Sequence, residues 1–228
     1  MLMILSRCLI VAMIVTMISI PQAYADLNRG VGVQTIRDAQ GKEIGLYKES
    51  HALLIGAGNY TAGWPKLPGV KKDLAEVKST LEKAAFNVIV VEDPDHRLLQ
   101  ESINNFINKY GRQPENRLLI YFAGHGFTMR HSYGDEMGYI VPIDAPNPNR
   151  DKDGFSARAM DMQQIEVFAR RIQSKHVLFV FDSCFSGSIF ALSRAIPELI
   201  TFKTNRPVRQ FIGNVQKLGQ RLISTVWI

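Results

Sequence analysis

Short, wholly apolar runs alternate along this chain with stretches whose apolar residues recur every three or four positions. The runs are Ala52-Leu53-Leu54-Ile55 before Gly56, Val88-Ile89-Val90-Val91 before Glu92, Leu118-Leu119-Ile120-Tyr121-Phe122 before Gly124, and Val177-Leu178-Phe179-Val180-Phe181 before Asp182. A run with no polar face predicts a strand buried on both sides. Between the runs, Val70, Leu74, Val77 and Leu81 predict a helix over about 70–85. Leu98, Leu99, Ile103, Phe106 and Ile107 predict a second, with Asp95 as its cap, and residues 159–172 a third. Gly138-Tyr139-Ile140-Val141-Pro142-Ile143-Asp144 reads as a short edge strand or hairpin arm. Strands alternating with helices imply right-handed crossovers, an α/β class and a mostly parallel sheet.

The two ends read differently. Residues 1–25 form an apolar stretch with Arg7 as its only charge, broken by Pro21 and followed by Ala23-Tyr24-Ala25. This is the pattern of a secretory signal peptide cut after Ala25, so the chain is expected to be exported, periplasmic or secreted, with no membrane span after cleavage. The alternative is an uncleaved anchor, since the stretch approaches the ~20 residues that a span needs. Residues 26–50 are a polar lead-in with room for an edge hairpin, residues 51–201 carry the globular pattern, and residues 202–228 are basic and weakly patterned. A helix over 188–201 would be interrupted at Pro197.

Composition narrows the picture. The chain has 228 residues, 46% hydrophobic and 21% charged, which suits one domain with a substantial core. The net charge is +6, yet basic residues gather only in pairs such as Lys71-Lys72 and Arg170-Arg171, so a solvated basic surface is expected rather than nucleic-acid binding. Cys8 leaves with the signal peptide, and Cys184 becomes the lone thiol of an exported chain, where no internal disulfide can form.

The chemistry gathers at two strand ends. Ala123-Gly124-His125-Gly126 follows the third run, and Asp182-Ser183-Cys184-Phe185-Ser186-Gly187 follows the fourth. Ligands bind outside the carboxyl ends of parallel strands, so these loops can present a nucleophile and a base to one crevice. A cysteine thiol titrates near about 8.5 and needs a neighbouring imidazole to become a thiolate near neutrality. The backbone amides of Gly126 and Cys184 are candidate donors to the developing oxyanion, and His125 can later protonate the leaving amine. His51, His96 and His176 are expected at the opposite rim or on the surface, leaving His131 as the rival base. One mature cysteine with scattered histidines gives no structural zinc spacing. Gly56-Ala57-Gly58 with Glu92 or Asp93 imitates a dinucleotide site, but Thr61 stands at the third glycine position and the helix starts too late.

With several blocks in order, the sequence resembles the caspase-fold cysteine peptidases, in particular the bacterial metacaspase and orthocaspase group. The blocks are Ala52-Leu53-Leu54-Ile55-Gly56 with Asn59-Tyr60, Leu67-Pro68-Gly69 with Asp73, Tyr121-Phe122-Ala123-Gly124-His125-Gly126, Tyr139-Ile140-Val141-Pro142-Ile143-Asp144 and Phe181-Asp182-Ser183-Cys184-Phe185-Ser186-Gly187. The resemblance implies a three-layer α/β sandwich and an endopeptidase with His125 as base and Cys184 as nucleophile. It further implies peptide or protein substrates cut after Arg or Lys, with Asp73 and Asp182 binding the basic side chain. The competing readings are a solvated first-turn acid for Asp73 and turn formation for Asp182. Ala123 stands where many relatives carry serine, which removes one pocket hydrogen bond, and Phe185 where many carry histidine. No cofactor is required; calcium, used by some metacaspases, stays open, with Asp135, Glu136, Asp144, Asp151 and Asp153 as oxygen donors of no trusted spacing. The family domain continues past the nucleophile with further strands. Only Thr204 to Ile212 still resembles it here, so an incomplete C-terminal edge is expected. That shortfall motivates one alternative, a non-catalytic binding or assembly module; a further reading, another thiol hydrolase or acyl-transfer enzyme on a similar sheet, is disfavoured by the Asp182 and Asp73 pair.

Overall fold

The apolar runs do become the inner strands of one sheet. The computed structural model describes residues 34–37, 43–130, 134, 136–185, 208–217 and 220–227, with the backbone course alone for 34–46, 184–185 and the last two strands. Strands β1 (Gln34–Arg37) and β2 (Glu43–Tyr47) lead into β3 (Glu49–Gly56), helix α1 (Val70–Lys83), β4 (Asn87–Glu92), α2 (His96–Tyr110) and β5 (Asn116–Ala123). Then come β6 (Gly126–Arg130), β7 (Glu136–Ile140), α3 (Lys152–Arg158), β8 (Met160–Asp161), α4 (Met162–Arg171), β9 (His176–Phe185), β10 (Val208–Lys217) and β11 (Gln220–Trp227). The central sheet has six strands in the order β11-β10-β9-β5-β3-β4. All its pairs are parallel except β10 with β11.

Helices cover both faces. On one side α1 buries Val70, Leu74, Val77 and Leu81 against Ala52, Leu54, Leu119, Tyr121 and Val180. On the other, α2 (Leu99, Ile103, Phe106, Ile107) and α4 (Ile165, Phe168, Ala169) pack on Leu53, Ile55, Ile120, Phe122, Phe179 and Phe181. Successive residues of a strand point to opposite faces, so each apolar run feeds both cores at once. Truncating a side chain as buried as Leu81 or Leu99, both 0% exposed, costs about 2–5 kcal/mol. The chain passes from β3 through α1 to β4 on one side, then through α2 to β5 on the other side of β3. The crevice between the carboxyl ends of β3 and β5 is thus the point where strand order reverses, the place where such sheets bind ligands.

Several expectations change. The lead-in hairpin exists as β1 and β2, but as a two-stranded sheet of its own. The helix expected over 159–172 is shorter, because Met160 pairs with Ile140 of β7 and Asp161 caps the helix by accepting from the Gln164 amide at 2.7 Å. A separate short helix, α3, precedes it, capped by Asp151 through the Gly154 amide at 2.8 Å. Leu98, expected on the apolar face of α2, is 41% exposed. The strand expected over 138–144 ends at Ile140, and with β6 and β8 it forms a three-stranded side sheet, order β6-β7-β8. The expectation that the fourth main strand is left as an open edge is corrected: β9 pairs with β10, and β10 with β11. Residues 1–25 and the expected helix over 188–201 lie outside the described residues. Among the described residues no helix is long and apolar enough to cross a membrane.

Candidate active site

Parallel register aligns the ends of three strands. Gly56 of β3 is opposite Ala123 of β5, and Ala123 is opposite Asp182 of β9. His125 stands two residues beyond Ala123, and Cys184 two beyond Asp182, within β9. The Gly124 amide still donates to the Asp182 carbonyl at 3.4 Å. The two positions therefore stand at the same rim, on neighbouring strands spaced about 4.8 Å apart, with Cys184 still inside β9 rather than in the loop expected after the apolar run.

The loop after β3 holds the imidazole. The His125 amide donates to the Tyr60 hydroxyl at 2.7 Å, and that hydroxyl donates to the Val141 carbonyl at 3.0 Å. The Tyr60 ring lies 4.6 Å and the Trp64 ring 5.1 Å from the imidazole, centroid to centroid. Trp64 is itself fixed by its indole N–H, which donates to the Ala145 carbonyl at 3.0 Å. His125 Nε2 is 2.8 Å from the Pro65 carbonyl oxygen. A carbonyl only accepts, so Nε2 carries the proton and Nδ1 the lone pair. Burial pushes the imidazole below its ordinary pKa, against the smaller opposite pull of the Pro65 carbonyl. The ring is accordingly neutral near pH 7, with Nδ1 able to take a proton.

Backbone fit reinforces this cradle. A Cβ on Gly124 would lie 2.8 Å from the Tyr60 hydroxyl oxygen and 2.9 Å from Phe122 Cζ, so only glycine lets β5 pass beneath Tyr60. The His125 carbonyl accepts from the Val141 amide at 3.1 Å. In a trans peptide the next N–H points the opposite way, so this bond also sets the direction of the Gly126 amide, at the start of β6.

The other predicted residues are placed as follows. Asp182 accepts from the Tyr121 hydroxyl at 3.3 Å, on the face that Tyr121 shares with α1. Asp73 lies in the first turn of α1, one residue before Leu74 of that same cluster. Ala123 is buried, with no side-chain polar atom to offer. His51 and His176 sit at the amino ends of β3 and β9, the far rim, as expected. His96 is at the surface: it begins α2 at the carboxyl rim, where its Nδ1 is bonded to the Arg158 carbonyl at 2.7 Å. His131 and Asp135 lie outside the described residues. Glu136 pairs with Arg130, Asp144 receives the His96 amide, and Asp151 caps α3. Among the described residues no group of three or more His, Cys, Asp or Glu gathers as a metal site.

The imitation of a dinucleotide site is resolved at Asp93. Its Oδ1 accepts from the amides of Gly58 and Asn59 at 2.8 and 2.9 Å, occupying the N–H groups that a phosphate would need. Tyr60, Trp64, Pro65 and Asp93 had no assigned role in the sequence. The signals available were an aromatic pair, Tyr60 and Trp64, in a glycine- and proline-rich loop just past a buried strand, and the acid Asp93 at the end of the next one.

Known proteins resemble this chain. Mucosa-associated lymphoid tissue lymphoma translocation protein 1 of Homo sapiens is 29% identical over 144 residues, 61% of this chain and 15% of that one. Metacaspase-1A of Neurospora crassa is 30% identical over 156 residues, 62% of this chain and 32% of that one. The chain thus spans a third or less of the length of these relatives. A crystal structure of protein GSU0716 from Geobacter sulfurreducens aligns with a TM-score of 0.52 at 14% identity, covering 76% of this chain and 75% of that one, and shares the fold. The caspase domain family matches residues 49–215, from the first residue of β3 into β10. The chain belongs to the caspase domain family of cysteine peptidases.

Proposed function

We propose that this protein is an exported cysteine endopeptidase that cuts after Arg or Lys, with Cys184 as nucleophile and His125 as base. The observation that carries the reading is the Nε2–H bond from His125 to the Pro65 carbonyl, which leaves Nδ1 as the basic nitrogen on a strand end next to that of Cys184. His125 Nδ1 takes the Cys184 thiol proton. The thiolate attacks the substrate carbonyl carbon, forming a C–S bond while the oxygen takes up the negative charge. The amides of Gly126 and Cys184 stabilise that oxygen. Nδ1–H then protonates the leaving nitrogen, the C–N bond breaks, and a thioester remains. Water, losing a proton to Nδ1, attacks the thioester, and the thiol is released with its proton restored.

Specificity rests on Asp182 and Asp73, two carboxylates from β9 and α1 that flank one face of the sheet, a pairing suited to a guanidinium or ammonium group. Ala123 lends no hydrogen bond there, so charge carries the selection. A fluorogenic peptide ending in Arg should be cleaved under reducing conditions, with or without calcium, and Cys184→Ala should abolish cleavage. Equal turnover by wild type and Cys184→Ala, or none by either, would refute the reading. Loss of Arg preference in Asp182→Asn tests the pocket separately.

A further inference from the structure

The loop that holds His125 is anchored from outside the site. Asp93 follows β4, which is separated from β9 by two strands in the sheet, and its carboxylate has no place in the chemistry above. Yet Oδ1 accepts from the Gly58 and Asn59 amides, and Oδ2 accepts from the Asn59 side-chain amide at 2.6 Å. The Asp93 amide donates to the Gly56 carbonyl at 2.6 Å. Its backbone φ is 48°, the left-handed region that an aspartate adopts only when its surroundings hold it there. Next to it, the Pro94 carbonyl accepts from the Ile143 amide at 3.0 Å, and the Ile143 carbonyl accepts from the Thr61 amide at 3.0 Å.

The anchored loop is short and closed. Leu67 donates its amide to the Gly58 carbonyl at 2.9 Å, so residues 58–67 leave and return at one point, fastened by Asp93. Within it lie two of the groups that bond to His125, the Tyr60 hydroxyl on its backbone and the Pro65 carbonyl on its ring. We propose that Asp93 is a positioning residue: by fastening Gly58 and Asn59 it sets the height of the Pro65 carbonyl, and so the tautomer and aim of the His125 ring. The proposal rests on the reading of His125 as base, but its own content is the orientation of the ring.

Asp93→Gly tests it. Glycine accepts a φ of 48° without strain, so the backbone can be kept while the carboxylate is lost. Folded Asp93→Gly should lower kcat on the Arg-terminated peptide about 10- to 100-fold with KM little changed, as a ring displaced by about 1 Å would. The ¹⁵N signals of the His125 ring should move from a single Nε2–H tautomer towards a mixture. Asp93→Asn, whose amide oxygen still accepts from Gly58 and Asn59 in the same backbone, should recover most of the rate and the single tautomer. Wild-type kcat and wild-type ring signals in folded Asp93→Gly overturn the proposal. Should Asp93→Gly fail to fold, Asp93→Ala, which equally takes the acceptor away from the Gly58 and Asn59 amides, carries the test: a drop in kcat or a tautomer shift supports the proposal, and unchanged values of both overturn it. The ring signals separate the two failures. A wild type that cleaves nothing sinks the peptidase reading, while the tautomer of Asp93→Gly still decides the role of Asp93.

Discussion

His125 and His176 mark opposite rims of the sheet, on adjacent strands, and burial depresses the pKa of both. Their surroundings differ in kind. Around His125, one ring nitrogen is satisfied by a backbone carbonyl and the ring is walled by Tyr60 and Trp64. His176 meets Tyr47 edge-on at 5.3 Å, its Nδ1 is buried without a hydrogen-bond partner among the described residues, and Lys175 and Arg117 further disfavour its protonation. Arg117 is itself pressed between the rings of Tyr47 and Phe86, at 5.0 and 4.3 Å. A lowered pKa is therefore no mark of a base in this molecule. What distinguishes His125 is a fixed tautomer at a strand's carboxyl end, where the topology opens a crevice.

The sharpest break of that comparison is a pair of substitutions. His125→Gln should lower kcat by about 10²–10⁴-fold, the usual worth of a general base. His176→Gln should leave kcat unchanged and remove a buried, unsatisfied nitrogen. Steady-state kinetics on the Arg-terminated peptide checks both, and equal losses would mean that the two rims are not functionally distinct.

Next in size are changes to the cradle itself. Tyr60→Phe leaves the His125 amide and the Val141 carbonyl without partners at a buried site, which costs about 2 kcal/mol or more in stability. The same substitution should reduce kcat by about tenfold through misplacement of the ring. Gly124→Ala drives a methyl group against Tyr60 and Phe122, and its overpacking costs about 1–3 kcal/mol. Denaturant unfolding and kinetics on the same samples would check both, and a Tyr60→Phe variant of full activity would reduce the cradle to packing.

The sequence revealed the parts of this molecule that depend on local pattern. β3, β5 and β9 were legible because strands buried on both faces leave unbroken apolar runs, and α2 because Asp95 caps it, accepting from the Leu98 amide at 2.7 Å. β10 was not legible: Arg209, Gln210 and Asn214 interrupt its apolar residues, and its place comes from pairing with β9. The helix over 159–172 was overextended because Ala159 and Met160 continue the apolar spacing, while the pairing of Met160 with Ile140 is a contact between distant segments. The site divides in the same way. His125 and Cys184 announced themselves at strand ends, but the Pro65 carbonyl and the Asp93 carboxylate act across 60 and 34 or 35 positions of chain, through backbone groups that carry no residue-specific signal.

The smallest effect separates stability from activity by pH. Both His125 and His176 bind a proton less readily folded than unfolded, where an imidazole titrates near about 6.5. Between the two values the unfolded chain holds more protons, so unfolding free energy rises with pH; the stability is present above about 6.5 and drains away as pH falls towards the folded values. Asp93 adds a second loss at more acid pH: burial raises its pKa, but the Asn59 and Gly58 amides, the Asn59 side chain and Lys71 outweigh this and hold the carboxyl below the usual range. The melting temperature should therefore fall from pH 7 to pH 5, and His176→Gln should flatten the slope. The acid limb of kcat/KM should stay where it is in that variant, because His176 takes no part in the chemistry assigned to His125. A limb that moves with His176 would join the two rims into one titrating system and remove the contrast between them.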